Sequence, residues 1–402
     1  MVNSIAIYTS FLRAILGLAG VRPQSVEIEP GTVVHIWAPS ETAKKTNNLK
    51  QAENKPSKPA VVFLHGFGFN GILSWQFQVL ALAKEYSVYV PDFLFFGGSI
   101  TDRTERSPAF QAECMAKCLR KLGVEKCTLV GLSYGGMVGF KMAEMFPDLV
   151  DSFVVSCSVM ALTESISRAS LERIGFPSWV RHLVPDTVEG VKKIVDVSTY
   201  KSLWMPHFLY KDVFETAYNI NRKERVELLD ALIVKDKDFC LTSYPQNMAR
   251  RIHLLWGEED VIFNMEVARN LQEKLLAGKA PLHYIEKAGH GVPLERPFAY
   301  NRQLKKILDM FINHKKERVE LLEALQVKDK DFYIPHYPRI HLLWGEEDVL
   351  FTMEIARNLK ERLLGGKATL HYVEKAGHVV PSERPCAYNR QLKKILASLY
   401  AN

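Results

Sequence analysis

Cys127-Thr128-Leu129-Val130-Gly131-Leu132-Ser133-Tyr134-Gly135-Gly136 joins two signals in ten residues. Its first half is a short apolar run, which reads as a buried strand. Its second half is G-L-S-Y-G, a match to G-x-S-x-G, and Met137 to Phe146 follows with helical spacing before Pro147-Asp148. Strand, tight turn and helix is the context that lifts a serine hydroxyl above a sheet edge. Side chains at Gly131 or Gly135 would collide with the neighbouring strand or helix. The helix N-terminus beside Ser133 aims backbone N–H groups at any oxyanion formed there.

Upstream, Ala60-Val61-Val62-Phe63-Leu64 is a second buried strand, ending in His65-Gly66-Phe67-Gly68. A glycine-flanked turn at that place can direct a second backbone donor to the same spot. Phe67 and Tyr134 N–H are therefore the expected oxyanion pair, with His65 and Gly66 beside the substrate. Trp75 to Lys84 reads as a helix, Ser87 to Val90 as a strand, and Pro108 to Leu122 as an amphipathic helix leading into the Ser133 strand. This alternation implies a mostly parallel sheet with helices on both faces, and a site at the carboxyl ends of the strands.

Downstream of strand Phe153-Val154-Val155 the pattern turns helical from about Leu162 to Leu232, rich in aromatics that include Trp204 and Phe208. An insertion there would cover the site and favour lipophilic substrates, with Trp204 and Phe208 as contacts. Alternation resumes with Ile252 to Trp256, ending in Gly257-Glu258-Glu259-Asp260. Next comes Leu282 to Ile285, ending in Lys287-Ala288-Gly289-His290. Asp260 and His290 thus fall on the same sheet edge as Ser133. A serine hydroxyl needs a positioned base, His290, and the base needs an orienting carboxylate, Asp260. The order Ser, Asp, His along the chain fits this topology.

The tail is duplicated: Arg251 to Leu308 returns as Arg339 to Leu396 with roughly four fifths of positions identical. Asp348 and His378 stand where Asp260 and His290 stood. The first copy follows the helical insertion directly and is assigned the chemistry; Asp348 and His378 are the alternative.

The set HGFG (65–68), Pro91-Asp92 with Gly97-Gly98-Ser99, GLSYGG (131–136), WGEED (256–260) and KAGHGVPLERP (287–297) resembles the α/β-hydrolase superfamily, and within it the plant α/β-hydrolase-1 proteins. The resemblance covers roughly Val21 to Ile312. It implies an eight-stranded, mostly parallel α/β-hydrolase sheet with a helical cap inserted after a strand, a Ser-His-Asp mechanism, no metal and no organic cofactor. Relatives that open epoxides use an aspartate nucleophile, and position 133 is serine. The expected activity is hydrolysis of lipophilic carboxylic esters, monoacylglycerol-like among them. The alternatives are a small-molecule signal receptor with little turnover, or a C–C bond hydrolase of the meta-cleavage type.

The expected organisation is an apolar N-terminal helix (1–20), a first core part (21–160, with a mobile loop over 40–59), a cap (161–245), a second core part (246–314) and the duplicate (315–402). The net charge of +7 is modest for 402 residues, and no basic patch with interleaved aromatics argues for nucleic acid. Six scattered cysteines without framework spacing read as reduced thiols, consistent with a cytoplasmic setting. Ile5 to Gly20 is short for a membrane span; it reads as a helix packed on the body or lying peripherally on a membrane.

Overall fold

The computed structural model describes residues 3–41, 58–201, 205–239, 251–275, 278–325, 341–363 and 368–400. Two compact units divide the chain, Met1–Ile312 and Asn313–Asn402.

The first unit is built on a nine-stranded sheet. Along its path run β1 (Val21–Glu29), β2 (Thr32–Pro39), β4 (Ser87–Pro91), β3 (Ala60–Leu64), β6 (Cys127–Leu132), β7 (Val150–Ser156), β10 (Ile252–Gly257) and β11 (Leu282–Ile285). The short β5 (Ile100–Thr101) pairs off that path with β2. From β4 to β11 every pairing is parallel, while β1, β2 and β5 add an antiparallel flank. The sequence explains the division. Strands β3, β6, β7 and β10 are near-continuous apolar runs, as strands covered on both faces must be. Strand β2 begins with alternating burial, which suits an antiparallel position near the edge. The eight-stranded expectation holds along the main path, and the two-residue β5 is the addition.

Helices close the crossovers. The helix expected from Trp75 starts earlier, at Gly71, because the Asn70 side chain caps it by accepting the Leu73 N–H. Likewise Tyr134, rather than Met137, opens the helix after the serine. Ser107 caps Pro108–Lys121 by accepting the Phe110 N–H, with proline at the first helical position.

Between β7 and β10 lie helices Glu164–Ile174, Trp179–Leu183, Val188–Ser198, His207–Val213 and Arg222–Asp230. Thr163, Ser178 and Thr187 cap the first three. A feature the sequence did not announce ties off this insertion at its base. Two short strands, β8 (Leu162–Thr163) and β9 (Ile233–Val234), pair in parallel.

The N-terminal helix Ser4–Leu18 buries Leu12 and Leu16 and packs near helices Gly71–Leu82 and His207–Val213. Ser4 and Asn3 bond to Asp212 and Thr216 at its start. Its other face leaves Ile7, Phe11 and Leu18 exposed. Among the described residues no helix is long and apolar enough to cross a membrane. Most of the loop expected over 40–59 lies outside the described residues, as does Trp204.

The second unit, described by itself, pairs β12 (His341–Gly345) with β13 (Thr369–Val373) in parallel, as β10 pairs with β11. Its apolar cluster is small, centred on Val373, Ala376 and Val380. Trp344 is only half-buried there, whereas its counterpart Trp256 is fully buried.

Candidate active site

Ser133 stands between β6 and the helix Tyr134–Met145 with φ +53° and ψ −118°, a region that non-glycine residues avoid. The strain persists because the surroundings over-determine the turn. The Ser133 N–H donates to the Ser156 carbonyl at 3.0 Å, and its own carbonyl accepts from Gly136 N and Ser158 Oγ. Glycines let the chain close this tightly. A Cβ on Gly131 would stand 2.6 Å from the Gly135 carbonyl oxygen, and one on Gly135 only 2.2 Å from that of Leu64. These are the collisions that the sequence predicts for those two positions.

Because β3, β6, β10 and β11 run parallel, His65–Gly68, Ser133, Asp260 and His290 all follow carboxyl ends on one edge. Asp260 is buried. Its Oδ1 accepts the N–H groups of Ile262 and Phe263 at 2.8 and 3.0 Å, and its Oδ2 lies 2.9 Å from Nδ1 of His290. With the carboxylate an obligate acceptor, Nδ1 carries the proton and Nε2 is left to accept. The Phe263 ring meets His290 edge-on at 5.7 Å.

Ser133 and His290 line one cavity of about 640 Å³. Phe67 and Tyr134 line it too, and so do Trp179, Ile194, Met205, Val213 and Tyr218 from the insertion, which therefore covers the serine. As the first residue of its helix, Tyr134 has no intrahelical acceptor for its N–H.

Two expected substrate contacts are placed elsewhere. His65 is fully buried, and the cavity wall passes through Gly66 instead. The His65 ring links loops: Nδ1 pairs with the Gly66 carbonyl at 2.7 Å, and Nε2 accepts the Phe93 N–H at 3.0 Å. Burial pulls its pKa down to about 4, so the ring stays neutral. Phe208 is 56% exposed and does not line the cavity, because its helix turns Val213 inward and Phe208 out.

Three residues escaped the sequence reading. Cys157, buried just after β7 at φ +46°, accepts the Gly257 N–H at 3.4 Å. Burial, then the charge of Asp260, pushes its thiol pKa well above the usual value. Cys157, Asp260 and His290 bring donor atoms within 4.8 Å of one another, and they are the group among the described residues that could hold a metal ion. Asp260 is already bonded to the Ile262 and Phe263 amides and to His290. His182, in the insertion, is buried; desolvation first and nearby His290 second lower its pKa to about 3. Glu295 accepts the N–H groups of Gly289 at 2.7 Å and Tyr200 at 2.8 Å, clamping the His290 loop to the insertion. The Cys157–Gly257 and Tyr200–Glu295 contacts join distant segments, which no spacing in the chain encodes.

The second unit repeats the acid–histidine contact. Asp348 Oδ1 accepts from Leu350 and Phe351, and its Oδ2 lies 2.9 Å from His378 Nδ1.

Comparison with known proteins gives the lineage. An uncharacterized Mycobacterium bovis protein is 37% identical over 99 residues, 25% of this chain and 29% of its own length. Epoxide hydrolase 4 of Mus musculus is 27% identical over 243 residues, 54% of this chain and 64% of its own. The chain thus spans less than two thirds of the length of these relatives. Among solved structures, a bacterial membrane phospholipase A superposes with a TM-score of 0.60 at 21% identity, covering 77% of this chain and 92% of that one. The family model described as alpha/beta hydrolase fold matches residues 59–297, and the chain belongs to that family.

Proposed function

We propose that the protein hydrolyses lipophilic carboxylic esters through Ser133, His290 and Asp260. The observation that carries this reading is a strained serine sharing one apolar cavity with a histidine already bonded to a buried carboxylate. In the proposed cycle the Ser133 hydroxyl passes its proton to His290 Nε2 as Oγ attacks the ester carbonyl. The N–H groups of Phe67 and Tyr134 receive the oxyanion, an interaction of about 3–4 kcal/mol per donor in such sites. Asp260 stays ionised and steadies the imidazolium. Collapse expels the alcohol, which takes the proton from His290. Water activated by the same histidine then releases the acid and restores Ser133.

The serine also speaks against epoxide opening. A carboxylate nucleophile would leave an ester that water can cleave, whereas a serine would leave a stable ether. Acyl carbons are the electrophiles from which Ser133 can be regenerated. Asp260 and His290 are preferred to Asp348 and His378 because His290 and Ser133 line the same cavity.

The exposed stripe Ile7, Phe11 and Leu18 fits a peripheral role on a lipid surface, next to helix His207–Val213, whose Val213 lines the cavity. The test of function is fluorophosphonate labelling with peptide mapping, paired with an ester panel of increasing acyl length. Labelling at Ser133 and turnover that disappears in Ser133→Ala are expected. Full turnover in Ser133→Ala would end the proposal.

A further inference from the structure

Besides Ser133, His290 and a few neutral polar groups, the cavity is lined by apolar side chains and by the charged residues Lys201, Lys287, Arg296 and Glu295. One backbone hydrogen bond and two to a side chain hold the segments that carry them. The Gly291 N–H donates to the Ser198 carbonyl at 2.7 Å, and the Glu295 carboxylate holds the N–H groups of Tyr200 and Gly289. The approach is close: a Cβ on Gly289 would meet the backbone of Thr199 at 2.8 Å. Lys201 follows Tyr200 directly, Lys287 precedes Gly289 by two residues, and Arg296 follows Glu295. All three residues are solvent-exposed and line the cavity in the segments this staple joins. Lys287 is held there by backbone at φ +55°.

Among the described residues lining the cavity, Glu295 is the one carboxylate, and both its oxygens are turned to backbone donors. Among the described residues, none of the three cations is within 4.0 Å of a carboxylate. Three positive charges against one engaged negative charge, beside an apolar chamber, make an amphiphile's binding surface. The chamber takes a hydrocarbon part and the cations take an anionic group.

We infer that this site accepts esters bearing a carboxylate or phosphate, with the anionic group seated among Lys201, Lys287 and Arg296. This rests on the serine-hydrolase reading for turnover, but the charge recognition is a binding property that can be measured without it. The experiment uses full-length Ser133→Ala protein and calorimetric Kd values for two matched pairs. Monobutyl adipate against butyl hexanoate puts the charge on the acyl side; O-hexanoylglycolate against ethyl hexanoate puts it on the alcohol side. In one pair or the other, the anionic ester binds tighter, and the advantage shrinks about tenfold in Lys201→Gln/Lys287→Gln/Arg296→Gln and with rising salt. The pair that responds tells which side of the ester faces the cations. Equal binding of anionic and neutral partners in both pairs, or an advantage untouched by the triple substitution, overturns the inference. Wild-type labelling and turnover are read separately. Their loss would sink the serine chemistry without changing the Kd comparison.

Discussion

Nδ1 of His290 lies 2.9 Å from Oδ2 of Asp260, and the other carboxylate oxygen is already held by two main-chain amides. The acid is thus fixed independently of the histidine, and the imidazole is oriented by an anchored partner. Removal of either end of the proposed relay should be severe. Ser133→Ala and His290→Ala should each lower kcat for a p-nitrophenyl ester by about 10³- to 10⁶-fold. His378→Ala should leave it within about twofold. The reverse ranking of the two histidine variants in initial-rate assays would move the acid–base pair to the second unit.

Gly135→Ala should destabilise the first unit by about 1–3 kcal/mol or more, since its methyl would meet the Leu64 carbonyl at 2.2 Å and backbone must yield. Gly17→Ala is the control. It sits in helix Ser4–Leu18 with nothing within 4 Å of the new carbon, and should be neutral or stabilise by up to about 1 kcal/mol. Urea midpoints of both variants settle the contrast.

The neutral His65 links stability to pH. Its folded pKa of about 4 lies below the ordinary 6.5, so between those values the unfolded chain binds the extra proton. Its contribution is complete above pH 6.5 and is lost as pH falls toward 4, an effect of order 3 kcal/mol. The melting temperature should drop across that window, and the drop should be shallower in His65→Gln. Identical slopes would mean that other groups govern it.

Thiol chemistry should follow exposure. Cys386 is exposed, whereas Cys114, Cys118, Cys127 and Cys157 are buried. Burial raises the pKa of Cys114, Cys118 and Cys127 to about 12, and that of Cys157 well above the usual value. Alkylation under native conditions, mapped by peptide mass, should mark Cys386 and spare these four until the protein unfolds. Early modification of Cys157 would contradict its placement beside Asp260.

Phe11→Ser with Leu18→Ser should reduce co-sedimentation with lipid vesicles several-fold, while turnover of a short water-soluble ester stays unchanged. Equal sedimentation of variant and wild type would dismiss a lipid-facing role for this helix.

Much of this architecture was legible because parallel strands leave continuous apolar runs and their loops carry the chemistry. The Ser133 turn needed glycines where they stand, and Asp260 and His290 end strands of the same direction. His65 was misread because the glycine-rich turn that carries it looks alike whether the ring points to the cavity or into the core. Phe208 was misread because helical aromatics carry no mark of which face is covered. Cys157, Glu295 and the β8–β9 closure depend on segments far apart in sequence meeting in space, which periodicity does not record.

The Asp348–His378 contact forms in a piece whose two strands, among the described residues, have each other as their sheet neighbours. The loops that follow one pair of parallel strands therefore suffice to bring a carboxylate and an imidazole together. Such a piece is compact enough for evolution, or a protein engineer, to copy and graft as a unit.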